Sequence, residues 1–218
     1  MASPDASAVA IRRRNRSSSV SWRGATAITI VVPATGKRYT AKVVGYDVSG
    51  DVAVIQASGA SNLKTVSVGN SSTVKVGQAV TAVGNAGGAG TLTSSTGSVT
   101  AIAQSITVGD ESGGGHRLSG LIETNAGLVA GDSGGPLLSP GGKVVGMDTA
   151  ASLSAYGGRR AADGYAIPID KVVTVAKAIE AGKASATIHV GSTAFLGISV
   201  ASPASDAGYD GSGAMIMT

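Results

Sequence analysis

The chain has 218 residues, of which 43% are hydrophobic but only 3% aromatic, and it contains no cysteine. The length suits one large domain, or one domain with part of a second, and the lack of cysteine excludes disulfides and thiol chemistry. The net charge of +4 arises in residues 1–23, which hold five arginines and one aspartate, while the rest of the chain is balanced. Basicity confined to one end argues against a nucleic-acid partner, and no apolar run approaches the roughly 18 residues of a membrane span.

Residues 1–23 are rich in Ser, Arg and Ala and follow neither a strand period nor a helix period. This composition predicts a leader, outside the folded domain, that is either disordered or extraneous to it. The longest apolar run of the leader, 8–11, is shorter than the roughly 7–15 residues of an export signal. No signal peptide is therefore expected in this chain.

From residue 24 onward, short β-branched runs alternate with turn residues. The predicted strands are 27–32, 39–46, 52–55, 65–68, 79–83, 91–108, 118–124, 137–138, 144–147 and 165–169. Turn signals recur about every 8–12 residues, which indicates an all-β sandwich or barrel. One helix is predicted over 170–181, because its apolar residues share one face and Gly182 ends it.

The most informative stretch is GDSGGP at 131–136. A serine hydroxyl becomes nucleophilic when a base accepts its proton, and the oxyanion that follows needs preorganised donors, which backbone amides supply. Glycines beside Ser133 allow a sharp turn that can aim the amides of Gly131 and Ser133 into one oxyanion hole. The alternative is an ordinary Gly/Pro turn that contains a serine.

The same residues fit the G-x-S-x-G elbow of α/β-hydrolases, which requires a helix directly after the serine. Pro136, Pro140 and the glycine turn 141–142 exclude a helix there, and 143–148 alternates as a strand does. The elbow is therefore rejected.

Several segments in order resemble the HtrA-like serine proteases of the trypsin fold. GDSGGP is followed by KVVGMDTA at 143–150 and GYAIPI at 164–169, as in the second barrel of that family. YDVSGDVAVI at 46–55 resembles the family's aspartate strand, and GQAVTAVGN at 77–85 resembles the segment that opens the second barrel. The resemblance covers about 24–182 and is strongest to secreted actinobacterial members.

The resemblance implies two antiparallel β-barrels, the first incomplete, with a C-terminal helix, over residues 24–182. It implies hydrolysis of peptide bonds in unfolded or extended polypeptides through an acyl-enzyme on Ser133, with no cofactor and no metal. Asp51 matches the carboxylate that orients the catalytic base, and Gly131 and Ser133 match the oxyanion-hole amides. A secreted or cell-envelope location and a homo-oligomer are also expected.

The substrate pocket is expected to involve Gly127, Leu128 and Val129, with Asp148 in the strand beside it. In trypsin-fold proteases, an aspartate at the position matching Gly127 selects Lys or Arg. Because glycine stands there, the resemblance implies cleavage after small or medium apolar residues, and Asp148 could add a negative charge.

The family's catalytic histidine has no counterpart in the matching place. SSVSWR at 18–23 stands where a Thr-Asn-x-His turn is expected, while His116 and His189 match no family position and are expected in surface loops. The chain as written is therefore expected to be inactive. Two hypotheses stay open: an endopeptidase whose histidine is missing from this version of the chain, or a non-catalytic, chaperone-like protein that binds unfolded polypeptide.

Residues 183–218 are too few to bury a core alone and are expected to form a linker and the truncated start of a PDZ domain. FLGI, which is Phe195, Leu196, Gly197 and Ile198, resembles the loop that holds a peptide carboxylate in that domain.

Overall fold

A computed structural model describes residues 7–10, 28–88, 90–109, 115–129, 131–153, 162–191, 199–201 and 215–217. Within these ranges the chain is mostly β-structure, as its short β-branched runs predict. The strands are β1 Ser7–Ala10, β2 Ile28–Val32, β3 Lys37–Asp47, β4 Val52–Ala57, β5 Ala79–Gly84, β6 Thr93–Gly109, β7 Gly115–Thr124, β8 Pro136–Leu138, β9 Val144–Leu153, β10 Ala162–Pro168, β11 Ile188–Val190, β12 Ser199–Ala201 and β13 Met215–Met217. Short 3-10 turns occupy Ser71–Thr73 and Ala86–Gly88, and the α-helix α1 spans Ile169–Glu180.

The strands form two main antiparallel units. The first is an open five-stranded sheet in which β1, β4, β3 and β11 are neighbours and β2 also pairs with β3. The second is a closed six-stranded barrel in the order β10, β7, β6, β5, β8 and β9. The all-β prediction, with a complete second barrel and an incomplete first one, is confirmed for the described residues.

The expected leader contains one element of regular structure. β1 pairs antiparallel with β4, in a register that places Ser7 opposite Gln56 and Ala10 opposite Ala53. Disorder is thus the wrong prediction for these four residues, because backbone hydrogen bonding to a partner strand needs no alternating side-chain pattern. The remaining residues of 1–23 lie outside the described residues.

The predicted helix is found one residue earlier at both ends, at Ile169–Glu180 rather than 170–181. Gly182 follows it with a φ of +68° and donates its amide to the carbonyl of Ile179 at 3.0 Å. The residue after a helix often adopts this left-handed backbone conformation, and glycine accommodates it best. The apolar face is buried as predicted; its members are Ile169, Val172, Val175, Ala176 and Ile179.

The buried face of α1 packs against both β units at once. The buried apolar side chains at this contact form one cluster, here called the shared core, which joins the helix to β4 of the sheet and to β7, β9 and β10 of the barrel. Its buried members outside the helix are Val52, Val54, Leu118, Leu121, Val144, Met147 and Ile167. Because burial of apolar surface is the main stabilising term in folding, this cluster fixes the sheet against the barrel.

A second cluster fills the barrel itself with small aliphatic side chains; its members are Val74, Val80, Ala82, Val99, Ile122, Ala126, Leu128, Leu137, Val145 and Ala166. Alanine and valine suit the narrow interior of a six-stranded barrel, where larger rings would not fit. The scarcity of aromatic residues in the sequence is thus consistent with the architecture.

After α1, β11 returns to the first sheet and pairs with residues 45–47 of β3. β12 and β13 pair with each other. Phe195, Leu196, Gly197 and Ile198, the predicted carboxylate loop of a PDZ domain, lie outside the described residues. In the part of the chain that is described, no helix is long and apolar enough to cross a membrane.

Candidate active site

The turn 131–135, here called the serine turn, is held by its own backbone. The amide of Asp132 donates to the carbonyl of Val129 at 3.1 Å, and the amide of Gly135 donates to the carbonyl of Asp132 at 2.8 Å. The Asp132 carboxylate also accepts a hydrogen bond from the amide of Val129 at 2.9 Å. Ser133 therefore sits at the tip of a turn that is closed on both sides.

Two glycines let the serine turn approach the end of β5 closely. A Cβ atom at Gly135 would overlap the carbonyl oxygen of Val83, and one at Gly131 would overlap that of Asn85. Gly131 also has a φ of +102°, a conformation that L side chains rarely adopt. The glycines of GDSGGP are thus required by the packing as well as by the turn.

Strand β9 anchors the other side of the turn. The amide of Gly134 donates to the carbonyl of Asp148 at 2.7 Å, and the amide of Asp148 donates to the carbonyl of Gly135 at 2.9 Å. This exchange of two backbone bonds locks the turn to the strand. Among the described residues, the amides of Gly131 and Ser133 donate to no other group, and their role as an oxyanion hole stays a prediction.

Thr149 links the two predicted catalytic residues. The Ser133 hydroxyl donates to the Thr149 carbonyl at 3.2 Å, and the Thr149 hydroxyl donates to Oδ2 of Asp51. Ser133 belongs to the barrel, whereas Asp51 precedes β4 in the open sheet. The site therefore lies where the two β units meet, which is the location that the resemblance to trypsin-fold enzymes implies.

Asp51 is presented by a tight turn between β3 and β4. Asp47 accepts hydrogen bonds from the Ser49 hydroxyl at 2.7 Å and from the Gly50 amide at 3.0 Å. Asp51 itself has a φ of 54°, which aspartate adopts more readily than most residues because its side chain can bond locally. The spacing Y-D-V-S-G-D thus places the second aspartate at the edge of the sheet that faces Thr149.

Thr149 was not singled out in the sequence, although it has no exposed surface. Its hydroxyl and its carbonyl each contact a different predicted catalytic residue. The available signal was its place in KVVGMDTA, where a buried strand of the barrel carries two successive polar residues, Asp148 and Thr149. Buried polar residues on a strand are uncommon without a partner, so the pair could have been marked.

The predicted pocket residues divide into two groups. Gly127 and Val129 lie at the surface, and the Val129 side chain is 51% exposed. Leu128 is buried in the barrel core, where it packs against Gly164. Asp148 is only 1% exposed. The substrate pocket stays a prediction for these residues, of which Gly127 and Val129 are exposed whereas the side chains of Leu128 and Asp148 are buried.

Asp148 and Asp132 form a buried acidic pair beneath the serine turn. Asp132 is 7% exposed, and three of the four carboxylate oxygens, both of Asp148 and Oδ1 of Asp132, have no hydrogen-bond partner. Burial, and secondarily the charge of Asp132, raises the pKa of Asp148 to about 8. Asp148 is accordingly a neutral acid at pH 7.

The two histidines lie in strands, which corrects their expected place in surface loops. His116 falls in β7, opposite Val108 of β6. His189 falls in β11, opposite Tyr46 of β3, and the two rings stack with centroids 5.0 Å apart. The Gly-rich and polar residues around both histidines masked these strands in the sequence. Among the described residues, no group of three His, Cys, Asp or Glu side chains could hold a metal.

These features together define a domain of the trypsin fold. A closed antiparallel barrel packs on an open sheet, and a Gly-Asp-Ser-Gly-Gly turn and an aspartate both contact one threonine between them. The family model described as "Trypsin-like peptidase domain" matches residues 9–147, and the chain belongs to this family. The match contains Asp51 and Ser133. It also includes 9–23, which the sequence analysis assigned to the leader.

The chain is also similar to individual proteases of the HtrA type. It is 35% identical to serine protease PepD of Mycobacterium tuberculosis over 72% of this chain and 35% of the relative. It is 34% identical to the periplasmic endoprotease DegQ of Escherichia coli over 65% of this chain and 29% of the relative. The chain thus spans about a third of the length of these curated relatives.

Solved structures agree with this assignment. The HtrA-type protease AlgW with a bound tripeptide superimposes with a TM-score of 0.65 at 26% identity, over 83% of this chain and 54% of AlgW. AlgW with a decapeptide gives a TM-score of 0.62 at 27% identity, over 73% of this chain and 46% of AlgW. The resemblance to HtrA-like proteases is confirmed at the level of sequence and fold.

Proposed function

We propose that this domain is a serine endopeptidase of the HtrA type, which hydrolyses peptide bonds through an acyl-enzyme on Ser133. In this proposal Asp51 orients the base, and the amides of Gly131 and Ser133 bind the oxyanion. The observation that supports it most directly is the position of Thr149, which hydrogen-bonds both Ser133 and Asp51. Two sequence-distant residues of the expected types thus meet at one point between the β units.

The reaction requires a base that takes the Ser133 proton while Oγ attacks the substrate carbonyl carbon. The carbonyl oxygen becomes an oxyanion at the Gly131 and Ser133 amides, and the protonated base then gives its proton to the leaving amine. The peptide C–N bond breaks as the amine leaves, and the acyl group remains on Ser133 as an ester. A water molecule then attacks this ester by the same steps, which releases the acid product and frees Ser133. Asp51 orients an imidazole in this scheme and stabilises its charged form.

In the chain as written, the Ser133 proton is donated to a backbone carbonyl of Thr149, which is not a base. In another serine protease, removal of the histidine alone lowers kcat about 10⁶-fold, equivalent to about 8 kcal/mol of transition-state stabilisation. An oxyanion hole and substrate binding retain about 10³–10⁴-fold over water. We therefore expect no detectable hydrolysis of casein by this chain.

The proposed substrates are unfolded or extended polypeptides. AlgW, a structural relative, holds peptides in the structures cited above. Gly127 and Val129 remain the surface residues through which this chain would contact the substrate side chain before the scissile bond. The related DegQ is named as periplasmic, and we propose export to the cell envelope or beyond for this protein. We also propose that residues 183–218 form a linker and the start of a PDZ domain, and that the protein forms a homo-oligomer.

The test is to replace residues 1–23 with the corresponding segment of an HtrA relative that carries its histidine. Ser133 should then react with a fluorophosphonate probe and the protein should digest casein. Two matched controls are the same graft with alanine in place of the histidine, and the graft with Ser133→Ala; neither should react. Labelling of Ser133 in the unmodified chain would show that another group serves as the base and would overturn the assignment of the site.

A non-catalytic function is the second candidate, and it is favoured by the hydrogen bond that directs the Ser133 proton to the Thr149 carbonyl. As a polypeptide-binding protein, the unmodified chain would bind reduced, unfolded casein without cleaving it. Ser133→Ala would leave that affinity unchanged. A graft that binds casein but never cleaves it would favour this candidate over the endopeptidase.

A further inference from the structure

The acidic pair under the serine turn is not used in the reaction described above. Asp132 lies within the turn, directly before Ser133, and Asp148 lies in β9, directly before Thr149. Both side chains are buried, and three of their four carboxylate oxygens have no hydrogen-bond partner. Two buried carboxylates that share a single donor, the Val129 amide, would repel each other in a medium that screens poorly.

A shared proton removes this repulsion. A carboxylic acid at one of the two residues can donate its O–H to the carboxylate of the other, which gives two of the orphaned oxygens a charge-assisted hydrogen bond. Protein carboxyl pairs at close range ionise in two separated steps because both cannot be charged together. The raised pKa of Asp148, caused by burial and then by Asp132, agrees with a proton retained at neutral pH.

We propose that Asp132 and Asp148 share one proton, and that this proton positions the serine turn on β9. The inference rests on the proposed function only in that it concerns the turn that carries Ser133. Asp148 acts here as a positioning residue, through its backbone bonds to Gly134 and Gly135.

The backbone neighbours of Asp148 in the adjacent strands carry no titratable group. In β10 its register partner is Ala166, and in β8 the nearest pairing is between Pro136 and Met147. Neither alanine nor proline titrates. Asp132 is the charged group that acts on Asp148, and Asp51 approaches the next residue of β9, Thr149, from the first sheet. The charge of Asp132 therefore adds to burial in favouring retention of the proton on Asp148.

The fit between the turn and β5 explains why the pair cannot simply separate. A Cβ at Gly84 would overlap the Cα, Cβ and Oδ1 atoms of Asp132, so β5 packs tightly against both the backbone and the side chain of Asp132. Asp132 is also fixed by the Val129 amide. When the shared proton leaves, the repulsion is relieved mainly by displacement of Asp148 and of the backbone bonds it makes with the turn.

The test uses the whole chain with ¹³C-labelled aspartate carboxyl groups, titrated by NMR from pH 4 to pH 10. One carboxyl resonance should titrate near pH 8. It should vanish in Asp148→Asn, titrate at lower pH in Asp132→Asn, and persist in Asp170→Asn, which removes an exposed aspartate from α1. Aspartates that all titrate below pH 6, or an alkaline titration that survives in Asp148→Asn, would overturn the inference.

Amide hydrogen exchange tests the positioning part. After correction for the intrinsic pH dependence of exchange, peptides that cover 131–149 should lose at least several-fold protection between pH 6 and pH 9.5. Asp148→Asn should keep its protection, because the Asn amide can donate permanently to Asp132. An equal loss of protection in the parent chain and in Asp148→Asn would show that the shared proton does not position the serine turn. Neither readout needs catalysis, so a failure here is distinct from a failure of the proposed peptidase function.

Discussion

Thr149 donates its side-chain hydroxyl to Oδ2 of Asp51 across the junction of the two β units. Because Thr149 is fully buried, this hydrogen bond holds the Asp51 carboxylate from the interior of the domain. The same residue accepts the Ser133 hydroxyl through its carbonyl. One residue of β9 thus sets the relative position of the two predicted catalytic groups.

Thr149→Val should separate the two contacts, because valine has the shape of threonine and keeps the carbonyl but lacks the hydroxyl. We expect a loss of about 1–3 kcal/mol in the free energy of unfolding, since the Asp51 carboxylate loses a donor. In the histidine-grafted chain, kcat should fall while fluorophosphonate access to Ser133 remains. Urea denaturation and steady-state kinetics measure the two effects.

Thr149→Ser is the matched control for that substitution, because it keeps the hydroxyl and removes a methyl group. Its kcat should stay close to that of the parent graft, with a stability loss of about 1 kcal/mol from the lost methyl group. Equal kinetic defects in the Val and Ser variants would show that packing, rather than the hydrogen bond to Asp51, limits the reaction.

Asp148→Asn should change the pH dependence of stability. The folded-state pKa of Asp148, about 8, lies above the ordinary aspartate pKa of 3.8, so the folded state binds the proton more tightly than the unfolded state does. The stability due to this group is complete below about pH 4 and is lost as the pH rises to about 8, by up to about 1.4 kcal/mol per pH unit. The asparagine variant should match the parent near pH 4.5 and exceed its unfolding free energy near pH 8.

Chemical denaturation at these two pH values measures the difference, with the low-pH comparison as the internal control. A stability difference of the same size at both values would mean that the gain comes from packing or hydrogen bonding rather than from removal of a titrating group.

Gly135→Ala should be among the most damaging small substitutions in the domain. Its Cβ would overlap the carbonyl oxygen of Val83, a backbone atom of the barrel that cannot rotate away. We expect a loss of more than about 4 kcal/mol, or no folded protein, in urea denaturation. Gly141→Ala is the control, because a Cβ there meets nothing within 4 Å; it should change stability by less than about 0.5 kcal/mol.

Cleavage by the histidine-grafted chain should follow small or medium apolar residues such as Val, Ala or Leu. The reason is the glycine at 127, where family members that prefer Lys or Arg carry an aspartate. The burial of Asp148 strengthens this expectation, because a buried and neutral acid at pH 7 does not attract a basic side chain. Mass-spectrometric mapping of cleavage sites in denatured casein measures the preference, and a majority of sites after Lys or Arg would contradict it.

Much of the fold followed from the sequence because its signals are local. The turn glycines, the β-branched runs and the apolar face of 169–180 each act over a few residues. β1 was missed because its pairing with β4 is a contact between distant segments, made through the backbone in a stretch without alternation. The short strand β11 was likewise missed in part, since the three residues Ile188–Val190 carry little pattern of their own.

For the site, motif order predicted that Asp51 and Ser133 belong to one centre, and the structure brings them to a common neighbour. What the sequence could not show is the direction of each side chain. Leu128 and Asp148 were expected beside the substrate, and their side chains are buried in the domain; their place at the pocket stays a prediction. The acidic pair and Thr149 became visible only when the strand β9 and the serine turn were placed together.

The late position of α1 in the sequence affects the order in which parts of the protein fold during synthesis. β4 is synthesised early, but its inner face is covered by a helix that begins more than one hundred residues later, and β3 waits still longer for β11. Contacts between such distant segments form slowly. On the ribosome, the closed barrel can therefore complete its own core first, while the early strands remain exposed until α1 and β11 emerge. A nascent chain arrested before residue 169 would present the Val52 and Val54 surface to chaperones, and release of the last segments would withdraw it.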